Sequence, residues 1–304
     1  MAPAGRCLSR RWRSTRSKPT LLASALDAAG EHGFALAGGN ALVAHGVVAR
    51  DTEDVDLFSP EPGGAGAVAE VVCEALRRAG YAVEICRSPE AHQGEYARLE
   101  VTRGEETMHV DLARDWRRWP PVLLDVGPVL HLDDAASSKV NAMVTRHLPR
   151  DFIDVAAVLD RYSREELMRL TFTRDPGLRV ADFTQAAQEL DRLPSDKFSK
   201  YGLDDHATEA LRQRFAGWPR HEADDEAGRT VHAAVAAEEA RSKTAAGEKD
   251  RETPPELRAM HAAYPEGIDA ALTAGQPSPA ADPPQQTPSA GPDYRPDPPG
   301  RSLS

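Results

Sequence analysis

The chain has 304 residues, 40% of them hydrophobic and 28% charged, with a formal net charge of −11. That balance suits a soluble core and excludes nucleic-acid binding through overall charge, leaving only a local basic patch for that purpose. Three cysteines, Cys7, Cys73 and Cys86, have no paired spacing, which excludes a disulfide framework and a zinc site and suits a reducing cytoplasm. No run approaches the roughly 20 apolar residues of a membrane span, and the basic start "MAPAGRCLSRRWRSTRSKPT" lacks an apolar signal-peptide core.

Taken in order, residues 1–19 read as a flexible basic leader. "TLLASALDAAGEH" has helical apolar spacing, with Gly33 as its stop, and "FALAGG" is a short strand running into a glycine turn. "NALVAHGV" reads as a helix and "DVDLF" as a strand. After the loop "PEPGGAG" comes the amphipathic helix "AVAEVVCEALRRAGY", closed by Gly80. "AVEIC", "YARLEV" and "MHVDLA" are strands, the last two separated by a break at Arg103-Gly104. The mixed α/β region therefore spans 20–125.

Residues 126–220 read as helical. "VLHLDDAASSKVNAMVTRHL" begins as a short strand and becomes a helix, with Asp133 or Asp134 as its cap. "RDFIDVAAVLDRY", "SREELMRLTF", "VADFTQAAQELDRL" and "DDHATEALRQRFAGW" follow as further helices. Residues 221–304 are weakly patterned and become proline-rich from Thr273. Such a segment buries too little apolar surface to offset its ordering entropy, so disorder is expected there. The fold class expected is α+β: a mixed sheet with flanking helices, a helical region, then the tail.

The chemistry centres on "GGNALVAHGVVARDTEDVDLF". Alternate residues of a strand share a face, so Asp54 and Asp56 point the same way with Cα atoms about 6.5 Å apart, while Val55 and Leu57 face the core. Two like charges so placed make sense around a cation, and Mg²⁺ takes such oxygen ligands while keeping room for water and phosphate. Asp111 in "MHVDLA" is the candidate third carboxylate, with Val110 and Leu112 on the opposite face. A lone DxD serves equally well at a turn or in solvent. The preceding Gly38-Gly39 adds specificity, because a glycine turn opening a helix offers backbone N–H groups to a triphosphate.

In these residues the chain resembles the nucleotidyltransferase superfamily of DNA polymerase beta, and within it the AbiEii/AbiGii toxins of type IV toxin–antitoxin systems. The resemblance covers roughly residues 20–165 and includes a second block: Lys139, then Arg146, Arg150, Asp151 and Asp154. It implies that Gly38 and Gly39 form the phosphate turn, that Asp54, Asp56 and Asp111 hold metal, and that Lys139 and Arg150 reach the nucleotide. Asp151 and Asp154 would complete the catalytic set. Arg50 and Thr52 match the family's "R-x-T-x-D-x-D", whereas Asn40 stands where many relatives carry a hydroxyl residue, its amide still a phosphate donor. Pro149 breaks the preceding helix and is placed to start a new one.

The resemblance implies a cytoplasmic, metal-dependent transfer of a nucleoside monophosphate from an NTP to an acceptor hydroxyl. Two Mg²⁺ ions are expected, Mn²⁺ being the alternative, with Asp111 as proton acceptor or ligand of the second ion. RNA or tRNA is the acceptor implied, and a separately encoded antitoxin the partner. An adenylyltransferase for aminoglycosides or other small molecules uses a similar glycine and DxD block, and an inert interaction protein on the same fold is the alternative of another class. "RDWRRWPP" places Arg114, Arg117 and Arg118 among Trp116 and Trp119, an RNA-contacting arrangement or a loop packed on the domain. His45 and His109 read as structural.

Overall fold

The computed structural model describes residues 10–11 and 17–252. By contacts the chain divides into two units, Met1–Arg241 and Ser242–Ser304; of the second, only helical residues 242–252 are described. The expected disorder of the leader and the proline-rich tail falls largely outside the described residues.

Alternating burial builds the sheet. In β3 (Asp54–Ser59) Val55, Leu57 and Ser59 face the core while Asp54, Asp56 and Phe58 face the other way, as the period of two demands. The sheet also contains β1 (Arg10–Arg11), β2 (Ala35–Leu36), β4 (Ala82–Arg87), β5 (Tyr96–Arg103), β6 (Glu106–Arg114), β7 (Val122–Leu124) and β8 (Gly127–Val129). Its order is β4-β5-β6-β3-β2-β8-β7, with β1 paired to β6 off this path. β4, β5 and β6 form an antiparallel meander, whereas β3 and β6 run parallel, which sets Asp56 opposite Asp111. The short β7–β8 hairpin pairs β8 with β2; of it the sequence shows only a short strand beginning at Val129, because Pro128 and Gly127 break the alternation before it.

Helices α1 (Ser17–Gly30) and α3 (Gly64–Arg78) pack together, and α3 also lies on β4, β5 and β6. α2 (Gly38–Ala44) packs on β3 and on α4 (Leu132–Arg146). α4 is not capped by Asp133 or Asp134. Its N-cap is His131, whose Nδ1 accepts from Asp133 N at 3.2 Å. Both aspartates have other partners: Asp133 accepts from Tyr162 Oη at 2.7 Å, and buried Asp134 accepts from the backbone N–H of Arg118 and Trp119. His147, at φ 54°, ends α4, and Pro149 starts α5 (Pro149–Val158) as expected.

The remaining helices are α6 (Arg164–Arg174), α7 (Val180–Arg192), α8 (Asp196–Ser199), α9 (Asp205–Arg214) and α10 (Glu226–Glu252). Ser163 and Glu166 form a capping box on α6, and Asp204 caps α9. α10 occupies a stretch whose sequence pattern is weak. Asp225, buried, accepts from Gly228 N at 2.8 Å and pairs with Arg164 of α6, while Val231 and Val235 pack on the core and the His232 ring meets Phe172 at 4.7 Å. The helices close on an aromatic cluster in which Phe215 meets Phe152 at 5.9 Å and Trp218 at 5.1 Å between ring centroids. No helix among the described residues is long and apolar enough to cross a membrane.

Phe215 is fully buried between α5, α9 and the Trp218 loop. Phe215→Ala is expected to lower stability by about 3–5 kcal/mol, read as a lower urea midpoint at unchanged slope.

Candidate active site

The glycine turn and the acidic strand fit one another at atomic range. Gly38 has φ +58°, and a Cβ there would lie 2.6 Å from Asp56 Cγ and closer still to Oδ2. Glycine is therefore needed twice, for the left-handed backbone and for the space that Asp56 fills. Ala37 N donates to Asp56 O at 2.8 Å, tying turn to strand.

Parallel pairing of β3 and β6 brings Asp54, Asp56 and Asp111 together, with a ligand oxygen from each lying within 4.8 Å of the others. Burial holds the Asp56 carboxyl well above the usual range, and the charges of Asp54 and Asp111 push it further, against Lys139 and Arg150. A divalent cation suits this donor set: three hard oxygen ligands whose mutual repulsion it relieves.

Five cations, Arg50, Arg98, Lys139, Arg146 and Arg150, line the same cleft, with Gly39 and Thr52 in its wall and a volume of about 120 Å³. Most are held by carboxylates outside the acidic triad. Arg50 donates Nε and Nη2 to Asp154 at 2.8 and 2.7 Å, and Lys139 Nζ reaches the same carboxylate at 3.0 Å. Arg146 grips Asp151 through Nε and Nη2 at 2.8 and 2.7 Å. Arg150 is the least engaged: Nη1 lies 3.7 Å from Glu53, and its buried Nε has no hydrogen-bond partner.

These contacts revise three expected roles. Asp151 and Asp154 are fully buried and do not line the cleft. Their oxygens face Arg146, Arg50 and Lys139, so they position cations. Asn40 is not turned to the cleft either. It is buried, with Nδ2 donating to Asp54 O at 2.7 Å and Oδ1 accepting from Thr52 Oγ1 at 2.7 Å. Where a hydroxyl was expected for phosphate, the amide fixes the start of β3 and occupies the Thr52 hydroxyl.

Arg98 is absent from the sequence-based set. It sits directly opposite Asp111 across β5 and β6, and donates Nε and Nη2 to that carboxylate at 2.6 Å each. Tyr96 Oη adds a third donor at 3.1 Å. Asp111 thus meets three donors, two from Arg98 and one from Tyr96. A signal was present: Gly104, at φ +64°, opens a two-residue turn whose register pairs Arg98 with Asp111.

His45 bonds Leu130 O at 2.8 Å, and His109 lies 3.6 Å from Glu100; neither joins the triad. The "RDWRRWPP" loop is pinned to the domain by Asp134, by the Arg174–Asp115 pair and by Arg117 Nη1 to Gly33 O at 3.2 Å. Trp116 and Trp119 stay 44% and 42% exposed, so pinning does not bury them.

The model of one protein family, described as nucleotidyl transferase AbiEii toxin, type IV TA system, matches residues 20–237. The chain belongs to the AbiEii nucleotidyltransferase toxin family. The match runs past residue 165, through helices in which the sequence alone offers nothing recognisable. Among solved structures, MenT4, a nucleotidyltransferase toxin from Mycobacterium tuberculosis H37Rv, is 21% identical, with 72% of this chain and 91% of that one covered and a TM-score of 0.49. JHP933 from Helicobacter pylori is 16% identical, covering 76% of this chain and 96% of its own, with a TM-score of 0.42. A comparison with curated proteins gave no match.

For an AbiEii toxin, the Asp154 tie makes a stability prediction. Arg50 and Lys139 are 15% and 9% exposed, so Asp154→Ala strands two nearly buried cations and is expected to cost about 3–5 kcal/mol at neutral pH. Burial opposes ionisation of Asp154, but bonds and charge from Arg50 and Lys139 outweigh it and hold the carboxyl below its usual value. Its contribution is therefore complete above the ordinary carboxylate range and is lost as pH falls through the depressed value. Chemical denaturation of wild type and Asp154→Asn across acid pH checks this: the gap between them should close at the acid end.

Proposed function

We propose that this AbiEii toxin transfers a nucleoside monophosphate from an NTP to an acceptor hydroxyl, with RNA, and tRNA in particular, as the acceptor class. The observation that carries the reading is the meeting of three carboxylates within 4.8 Å and five cations in one cleft, a distribution suited to holding divalent ions and a polyphosphate side by side. Asp54, Asp56 and Asp111 would hold Mg²⁺, two ions being the reading favoured here, or Mn²⁺ in its place. When bound, the ions supply neutralisation of charge on the reacting phosphate.

The chain's own groups account for the rest. The acceptor oxygen forms a bond to the α-phosphorus, the bond to the bridging oxygen breaks, and pyrophosphate leaves with the electron pair. The hydroxyl proton passes to a carboxylate of the triad. Lys139 and Arg150 face the phosphates. Arg150 suits this role best, having an unsatisfied buried Nε and a distant carboxylate. Arg50 and Arg146, fixed by buried aspartates, form the cationic wall behind them. Gly39 leaves room for close approach, since a Cβ there would stand 3.1 Å from Arg50 Nη2 and Thr52 Cγ2. The antitoxin proposed from family membership is a separate protein that restrains this activity.

The experiment is incubation with α-labelled NTPs, Mg²⁺ and either total RNA or an aminoglycoside panel. Label is expected on RNA, and label found only on an aminoglycoside would overturn the RNA reading in favour of a small-molecule adenylyltransferase. Lys139→Met is expected to lower kcat/KM by about 10²–10³-fold, and Asp56→Asn to remove transfer. If Asp56→Asn transfers as well as wild type, the triad is not the reaction centre.

A further inference from the structure

Among the five cations of the cleft, Arg98 differs from the others in its partner. Arg50, Lys139 and Arg146 are anchored on Asp154 and Asp151, outside the triad, and Arg150 lies near Glu53. Arg98 is paired with Asp111, a member of the triad itself, and both of its bonds are 2.6 Å. Such a doubly bonded, charge-assisted pair is strong. It also places a positive charge on the oxygens that a divalent ion needs. A guanidinium and a divalent cation on one carboxylate repel each other, so the two occupancies oppose one another.

We infer that Arg98 is a latch on the cation site: it serves as the counter-ion of Asp111 before the cation arrives, and cation binding is an exchange in which Arg98 gives up Asp111. This inference rests on the metal-dependent reading above and adds to it a residue that sets cation affinity. The side chain has the freedom the exchange needs. Arg98 is 30% exposed against 10% for Asp111, so the guanidinium swings toward solvent while the carboxylate stays in place. Tyr96 Oη remains on Asp111 Oδ1 at 3.1 Å and keeps its orientation when the arginine leaves. Charge explains why a latch is useful. Without it, Asp54, Asp56 and Asp111 would face one another as three neighbouring carboxylates within 4.8 Å, an arrangement that repels itself.

Arg98 therefore lowers cation affinity while steadying the empty site, the opposite of a residue that merely supports the fold. The test is Mn²⁺ binding to the full chain without nucleotide or acceptor, measured from the free-Mn²⁺ electron paramagnetic resonance signal. Arg98→Met keeps an apolar stem and removes the competing charge; its Mn²⁺ dissociation constant is expected to fall by about tenfold or more, given what hydrogen bonds to charged groups are worth. Arg98→Lys, with a cation but no fork, should fall between the two. Adding Asp111→Asn to Arg98→Met should abolish the gain.

Unchanged or weaker binding in Arg98→Met, with its melting temperature retained, overturns the latch while leaving the metal reading standing. Should Arg98→Met not fold, Arg98→Lys decides: tighter binding than wild type supports the latch, and equal or weaker binding overturns it. Absence of Asp111-dependent Mn²⁺ binding in every variant overturns both the latch and the metal reading.

Discussion

Everything in the cleft follows from the repulsion among Asp54, Asp56 and Asp111. Strand geometry puts the first two on one face, and parallel pairing adds the third within 4.8 Å. A protein that builds such a cluster must surround it with positive charge and must stop that charge from collapsing onto the acids. The chain does so by giving most of the cations a second carboxylate behind them. Asp154 restrains Arg50 and Lys139, and Asp151 restrains Arg146, so these side chains face the triad without falling into it.

That arrangement explains the helical half of the fold. α4 carries Lys139 and Arg146, ends at His147, and yields to a new helix at Pro149, which turns Asp151 and Asp154 back toward α4 and the sheet. Asp151 lies in the first turn of α5, where a carboxylate also favours the helix dipole. The aromatic cluster around Phe152, Phe215 and Trp218 then holds α5 from its far side.

Much of this is legible in the amino-acid order, for identifiable reasons. Gly38-Gly39, Asp54 and Asp56 are close in sequence and governed by local rules of turn and strand, so their relation can be read directly. Asp111 is found because its strand alternates cleanly. Residue roles are harder to read than residue membership. Asp151 and Asp154 belong to the constellation, but only three-dimensional contacts show that they bind cations and do not face the cleft. Asn40 misleads for the same reason: its position suits a phosphate, and its two partners, Asp54 O and Thr52 Oγ1, depend on how α2 leans on β3. Arg98 was hidden by ordinary surroundings, an arginine among polar residues alternating along a strand, and only the hairpin register gives it meaning. α10 escapes sequence reading because its apolar contacts are few: Val231 and Val235 pack on the core and the His232 ring meets Phe172, beside the buried Asp225.

The bond from Arg50 to Asp154 joins residues 104 positions apart. During synthesis the ribosome completes the glycine turn, all three acids and Lys139 before it reaches the residue that holds Arg50 and Lys139 in place. A growing chain thus carries the groups that line the cleft but not their arrangement. The order of translation leaves the assembly of the cleft until after helix α5 has emerged, a delay built into the linear sequence itself.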